Sequence, residues 1–220
     1  MLKKWLSYLI PIRIYQKKST FSKNLEVTWN NGKLVLDSQN TNYSYGSLQR
    51  VLKKGLQTIG YSTIIEMEHI LVLGVAGGSV IQTLINDIQY KGKITGIEID
   101  ENIITIANEY FHLDSLPNVE IVIDDASLFV FKTKDQYDLI IIDIFQDTQM
   151  PHFLFETSFI EQTSKLVRPK GYILFNTMNL THTGNNQNSD YISHFISQHY
   201  MITRLAHIEQ FNELLIVEKK

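Results

Sequence analysis

Four carboxylates, Glu98, Asp125, Asp143 and Asp147, and a glycine cluster are the residues of this 220-residue chain best placed to do chemistry. Gly74, Gly77 and Gly78 follow the apolar run Ile70 to Leu73 and precede a helical pattern through Val80, Ile81, Leu84 and Ile85. That order is a buried strand, a tight turn and a helix start. Free backbone N–H groups and partial positive charge are then found beside positions that a ligand can approach closely. A second apolar run, Ile94 to Ile99, carries Glu98 at its tip and leads into Asp100. An acid at that place accepts hydrogen bonds from both hydroxyls of a ribose, so turn and acid together point to a nucleoside-containing cofactor. The competing use of such a turn is packing alone. The order Gly74-Val75-Ala76-Gly77-Gly78-Ser79 does not fit the G-x-G-x-x-G spacing that admits a pyrophosphate, which favours a single nucleoside without phosphates. Asp143 closes the run Leu139 to Ile142 and faces the same crevice, where a carboxylate steers or deprotonates an amine nucleophile. Asp125 lies just past the run Val119 to Ile123, at the edge where open α/β sheets bind ligands. Its other role is to cap the helix beginning at Ala126, the role that best suits Asp124 as well.

The frame for these residues is an alternation of strands (Ile70–Leu73, Ile94–Ile99, Val119–Ile123, Leu139–Ile142, Tyr172–Asn176) with helices near 79–89, 101–110, 126–131 and 157–167. Unbroken apolar strands such as Leu139 to Ile142 are expected where helices cover both faces of a parallel sheet. Met201 to Ala206 and Leu214 to Val217 are too close in sequence for a crossover helix and must pair antiparallel. The expectation is a seven-stranded, mostly parallel sheet ending in an antiparallel hairpin. Arg168-Pro169-Lys170-Gly171 reads as a turn and His182 to Ser189 as a polar loop. Ahead of this, Leu25 to Trp29 and Lys33 to Leu36 flank Asn30-Asn31-Gly32, a strong hairpin signal. After a polar link, Asp37 to Asn42, Ser47 is expected to cap a helix carrying Leu48, Val51, Leu52, Leu56 and Ile59. Residues 1–60 therefore read as a small β-hairpin region with a linking helix, and residues 61–220 as the nucleoside-binding domain.

The chain has no cysteine, which excludes disulfides and thiolate metal sites and fits a reducing cytoplasm. The first residues, Met1 to Lys18, superficially resemble a signal sequence. Pro11 and Arg13 interrupt the apolar run, however, and no small-residue cleavage site follows. No segment is long enough to cross a bilayer, so no membrane partner is expected. The net charge of −3 hides an asymmetry: residues 1–60 carry ten Lys or Arg against Glu26 and Asp37, net +8, and residues 61–220 carry ten against twenty-one acids, net −11. The basic segment either packs on the acidic part or a neighbouring subunit, or meets an anionic partner. No nucleic-acid motif accompanies the charge, which disfavours that partner.

Several short motifs occur together in a telling order. The glycine turn is followed by Gly96-Ile97-Glu98-Ile99-Asp100, like "V-E-I-D", then by Asp124-Asp125-Ala126, like "G-D-A". Asp143 is followed by Pro151-x-x-Leu154-Phe155-x-x-x-Phe159, like "P-x-x-L-F-x-x-x-F", and Leu34-Val35-Leu36-Asp37 matches a small β leader. Over most of residues 20–180 the chain resembles the class I S-adenosylmethionine-dependent transferases, and within them the spermidine synthase-like group. The resemblance implies an α/β, Rossmann-like class I methyltransferase fold that binds S-adenosylmethionine or its decarboxylated form. Gly74, Gly77 and Gly78 would line the amino-acid end of that ligand, and Glu98, with Ile99 beside it, would bind the ribose. Asp125 would accept from the adenine amino group, with the Ala126 N–H near the ring. Asp143 would act as base and Asp147 would hold the amine, although Asp143-Ile-Phe-Gln-Asp147 is one residue longer than the family's "D-x-x-D". Tyr43, Tyr45 and His152 are candidates for the acceptor pocket, the acceptor being a small amine or similar nucleophile. A homodimer is among the assemblies the resemblance allows.

One departure bears on the donor. Where the family carries an aspartate in its "G-G-G-D-G-G" turn, this chain has Gly77. Without that charge the grip on a decarboxylated donor's ammonium is lost, and with it the discrimination against a carboxylate. Methyl transfer from ordinary S-adenosylmethionine is therefore the expected chemistry. Aminopropyl transfer is the alternative, and a non-catalytic nucleoside-binding or interaction protein the third reading.

Overall fold

The computed structural model describes residues 2–19, 21, 23–37, 42–146, 149–178, 182–209 and 211–220. A short helix α1 (Leu2–Leu6) precedes strands β1 (Ile12–Ser19), β2 (Lys23–Asn30), β3 (Lys33–Asp37) and β4 (Asn42–Ser44), which form an antiparallel sheet in chain order. Asn31 and Gly32 join β2 to β3 with φ of 48° and 74°, the left-handed pair a two-residue hairpin turn requires. Helices α2 (Gly46–Ile59) and α3 (Tyr61–Ile65) lead to β5 (His69–Leu73). Then follow α4 (Ser79–Gln82), which widens into a π turn over Thr83–Asp87, β6 (Lys93–Glu98), α5 (Glu101–Phe111), β7 (Val119–Ile123) and α6 (Ala126–Lys132). The chain ends with β8 (Tyr137–Ile142), α7 (Thr157–Leu166), β9 (Val167–Met178), α8 (His182–Ser193), β10 (Tyr200–Ile208) and β11 (Asn212–Lys219).

The large sheet has the order β10-β11-β9-β8-β5-β6-β7. Its strands β9, β8, β5, β6 and β7 are parallel, and β11 runs antiparallel to both β9 and β10. This is the α/β fold expected from the sequence, including the C-terminal hairpin. Both faces are covered: α2, α3 and α4 pack on one side against Val72, Ile141, Leu174 and Leu214, and α6 and α7 on the other against Ile140, Ile142 and Phe175. Every residue of β5 is buried, which is why its sequence is apolar without alternation. The small sheet buries Leu25, Val27 and Leu36 against Ile103, Ile106 and Phe111, three of them from α5. At roughly 1.5–3 kcal/mol per buried side chain, these six outweigh the exposed Arg50–Glu209 and Lys53–Asp87 pairs, each worth about 1 kcal/mol at most. Apolar burial, more than the opposite charges of the two parts, holds them together. Among the described residues no helix is long and apolar enough to cross a membrane.

Four local expectations change. Residues 12–19 form a strand, β1, hidden in the sequence by the apolar leader before it. Arg168 to Gly171 lies inside β9, where Lys170 at φ 65° marks a bulge and the register to β8 shifts between Tyr137 and Leu139. The polar stretch after residue 181 is helical, because Tyr191 buries against Phe175, with Phe195 packed on Tyr191 in turn, and this overrides weak local propensity. Ser47 is not a cap: α2 starts one residue earlier, at Gly46, with Tyr45 before it at φ 69°.

The joint between β5 and the glycine turn is tightly specified. Gly74 has φ +88°, and a Cβ there would run into the Asp143 carbonyl group. Gly74→Ala should cost about 2–4 kcal/mol, combining left-handed strain with overpacking. Urea denaturation of the variant against the native chain measures it.

Candidate functional site

Beyond the carboxyl ends of β5, β6, β7 and β8 lies a cavity of about 190 Å³. Ile97, Ile99, Ala126, Ile144, Pro151 and Phe153 give it apolar walls, Gly74 its floor, and Glu98, Asp124 and Asp125 its charge; among the described residues no Lys, Arg or His lines it. Gly74, Glu98, Ile99, Asp125 and Ala126, separated by up to 52 positions in sequence, are thus brought together.

Glu98 is buried, with each carboxylate oxygen accepting from two backbone N–H groups, and it also lines the cavity. One oxygen accepts from the N–H groups of Val75 (3.2 Å) and Ala76 (3.0 Å), the other from those of Ile99 (3.0 Å) and Asp100 (3.1 Å). Burial pushes its pKa up, and these backbone donors oppose that rise. The side chain therefore ties the glycine turn to the end of β6 before any ligand arrives. Ala76, at φ 48°, is held in a left-handed conformation by this arrangement.

Asp125 caps α6, its Oδ1 accepting from the Ser127 N–H at 2.8 Å, while its Oδ2 accepts no hydrogen bond among the described residues. Capping and cavity-lining are thus compatible in one carboxylate. Asp124 accepts from the Asp125 N–H at 2.9 Å and pairs with the Lys132 ammonium at 3.0 Å, which holds its pKa below the ordinary carboxylate range.

Asp143 sits at the tip of β8, partly buried, with its N–H donating to the Leu73 carbonyl at 2.9 Å. Desolvation raises its pKa to about 7; the Asn176 amide, donating to Oδ1 at 2.8 Å, opposes the rise, and the charge of Glu98 adds to it. Asn176 is fixed in turn by the Asn212 amide, which donates to its Oδ1 at 3.0 Å. Both asparagines escaped the sequence analysis. The available signal was a polar residue ending an apolar strand at the ligand-binding edge, but the partnership with Asn212 depends on the antiparallel pairing of β11 with β9.

The small sheet reaches this site. The Tyr45 hydroxyl donates to the Gly77 carbonyl at 3.0 Å, its ring stacks on Phe111 with centroids 4.4 Å apart, and Ser44 Oγ accepts from the Ser79 N–H at 3.3 Å. A Cβ at Gly77 would press on Ser44 Cβ at 2.9 Å, and one at Gly78 on a Leu113 methyl at 2.8 Å. Gly77 and Gly78 thus serve close packing, and Tyr45 serves as a clamp on the turn. Tyr43 lies in β4. His152 points to solvent, 84% exposed and 3.6 Å from Glu156, while its neighbours Pro151 and Phe153 line the cavity. Asp147 lies outside the described residues.

Two outcomes follow from these contacts. Glu98→Gln leaves one acceptor oxygen for four N–H donors and should cost about 2–4 kcal/mol of stability, read by denaturant unfolding. Asp143 has a folded pKa of about 7 against an unfolded value near 3.9. Between those values the native state holds the extra proton, so stability falls as pH rises through the window. Asp143→Asn should flatten that fall and exceed the native chain at pH 8 by about 1 kcal/mol or more, measured by thermal unfolding from pH 4 to 8.

Comparison with known proteins identifies the family. The description "Spermine/spermidine synthase domain" matches residues 49–202. A probable polyamine aminopropyl transferase of Bifidobacterium longum (strain NCC 2705) is 28% identical over 165 residues, covering 71% of this chain and 36% of that protein. A polyamine aminopropyltransferase of Prochlorococcus marinus (strain MIT 9301) is 31% identical over 121 residues, covering 51% of this chain and 41% of that protein. The chain thus spans well under half the length of these relatives. Among solved structures, spermidine synthase from Thermotoga maritima has a TM-score of 0.66 at 19% identity, covering 95% of this chain and 73% of that one. Human methyltransferase-like protein 13, in complex with SAH, has a TM-score of 0.65 at 18% identity, covering 80% and 83%. At such identities the structures speak for the fold, whereas the sequence match extends over most of the chain. The chain belongs to the spermine/spermidine synthase domain family.

Proposed function

We propose that this chain is an aminopropyltransferase, binding decarboxylated S-adenosylmethionine and passing its aminopropyl group to a small amine. Methyl transfer, expected from Gly77, is not the reading its relatives favour: they are polyamine aminopropyltransferases. The observation that carries the proposal is the cleft's charge. Glu98, Asp124 and Asp125 line it, and among the described residues no Lys, Arg or His does so. Lys132 pairs with Asp124 from outside the lining, and Asp143 stands beside the cleft. Such a site suits a cationic donor and a cationic acceptor. A carboxylate and an ammonium about 4 Å apart attract by about 4 kcal/mol at an effective dielectric of 20, an upper guide. The glycine turn adds to this. Of the N–H groups from Gly74 to Ser79, all but that of Gly77 already donate, to Ile97, Glu98, Val75 or Ser44. The carboxylate of ordinary S-adenosylmethionine would find little to hold it there.

In this reading Ile99, Ala126 and Phe153 enclose the adenine. The free Oδ2 of Asp125 accepts from the adenine amino group, and Glu98 meets the ribose. The amine nitrogen attacks the propyl carbon on the sulfonium; the C–N bond forms as the C–S bond breaks, leaving methylthioadenosine. The proton lost by the nitrogen goes to Asp143, whose pKa near 7 suits a base at neutral pH. Asp147, outside the described residues, is the candidate for holding the amine. Most of the catalysis is positioning. The absence of cysteine suits a reducing cytoplasm.

Calorimetry with decarboxylated S-adenosylmethionine, the ordinary form and methylthioadenosine should rank the decarboxylated donor above the ordinary one by roughly tenfold or more. Incubation with a diamine should give an aminopropylated product by mass spectrometry, lost in Asp143→Asn. A preference for ordinary S-adenosylmethionine would return methyl transfer to the lead. Binding of none of the three would sink the nucleoside reading itself.

A further inference from the structure

Leu2, Trp5, Leu6, Tyr8, Leu9 and Ile10 are between 44 and 83% exposed, and α1 buries none of its residues. A short helix with its apolar side chains in water gains little from folding alone. The segment is nevertheless held in place. Ser7, buried, accepts from the Gly32 N–H with its hydroxyl and from the Asn31 N–H with its carbonyl, both at 3.0 Å, and the Lys4 ammonium lies 5.7 Å from the Trp29 ring centre. The apolar side chains are thus presented on the turn between β2 and β3.

The charge around them has one sign. Lys3 and Lys4 lie within the segment, Arg13 stands at the start of β1 opposite Thr28, and Lys33 follows the Asn31–Gly32 turn that holds the segment. Arg13 pairs with Glu26, whereas Lys3, Lys4 and Lys33 form no ion pair among the described residues. We propose that residues 2–10 are an interfacial docking element that seats the protein on an anionic phospholipid bilayer. Trp5 and Tyr8 are the side-chain types that settle at headgroup depth, Leu2, Leu6, Leu9 and Ile10 enter the acyl boundary, and the lysines meet anionic headgroups. The net −11 of residues 61–220 turns the rest of the molecule away from such a surface. A two-fold contact between copies through this face would set lysines against lysines, and a nucleic acid offers nothing to its aliphatic side chains. The expectation of no membrane partner rested on the lack of a crossing segment, and an element that lies on the bilayer needs none.

The test is flotation of the full chain with phosphatidylcholine vesicles, with and without phosphatidylglycerol. It is paired with Trp5 emission in a Trp29→Phe background. Flotation with the anionic vesicles and a blue shift of Trp5 are expected. Leu9→Glu or high salt should weaken partitioning by roughly tenfold or more. Leu9 is exposed, so an unchanged thermal melt will show that the variant folds. Equal binding to both vesicles overturns the anionic assignment. Binding to neither overturns the proposal. Light scattering then assigns the face to a second copy, if it finds a dimer that Leu9→Glu breaks, or to solvent, if it finds a monomer.

Discussion

The Glu98 carboxylate, with four backbone N–H donors on its two oxygens, is the interaction on which the rest of the site depends. It ties two segments that the parallel sheet brings near one another but does not by itself lock: the turn leaving β5 and the end of β6. A buried carboxylate without such donors would be too costly to keep ionised, and four buried N–H groups without an acceptor would be costly as well. Each cancels the other's cost. The left-handed Ala76 and the opening of the cavity beside Gly74 follow from that bridge.

The bridge also sets the electrostatics next door. Asp143 is drawn out of water at the tip of β8 and feels the Glu98 charge, and a single amide from Asn176 resists the resulting rise in its pKa. The molecule thereby carries a carboxylate that is costly to ionise at neutral pH. That costs stability, and it is the condition a general base near neutrality requires. The Asn212–Asn176–Asp143 chain of hydrogen bonds keeps the carboxyl oriented, so that the cost serves one geometry.

The small sheet takes part in this arrangement. Ser44 and Tyr45 close over the glycine turn, and Ser19 donates to Asp100, the cap of α5. Leu25, Val27 and Leu36 anchor the sheet on α5. The turn that fronts the ligand cleft is therefore held from two sides, by Glu98 from below and by the leader sheet from outside.

The sequence by itself determined the strand–helix alternation, the closing antiparallel hairpin and the cluster Gly74, Glu98, Ile99, Asp125 and Ala126. Each of these is local: apolar runs, turn residues and an acid at a strand tip carry their meaning within a few positions. Tertiary structure decided what depends on distant partners. Gly77 read as a vacancy for a charge, yet Ser44 and Tyr45, more than thirty positions earlier, fill the space where a side chain would stand. The polar run around Asn188 read as a loop, and burial of Tyr191 and Phe195 made it a helix. His152 shares a loop with Pro151 and Phe153, but the 3₁₀ turn over His152–Phe155 directs it outward. Asn176 and Asn212 meet only because β11 runs antiparallel beside β9. Local propensity is written in neighbouring residues, whereas desolvation, close packing and the pairing of buried polar groups arise from residues far apart in the chain.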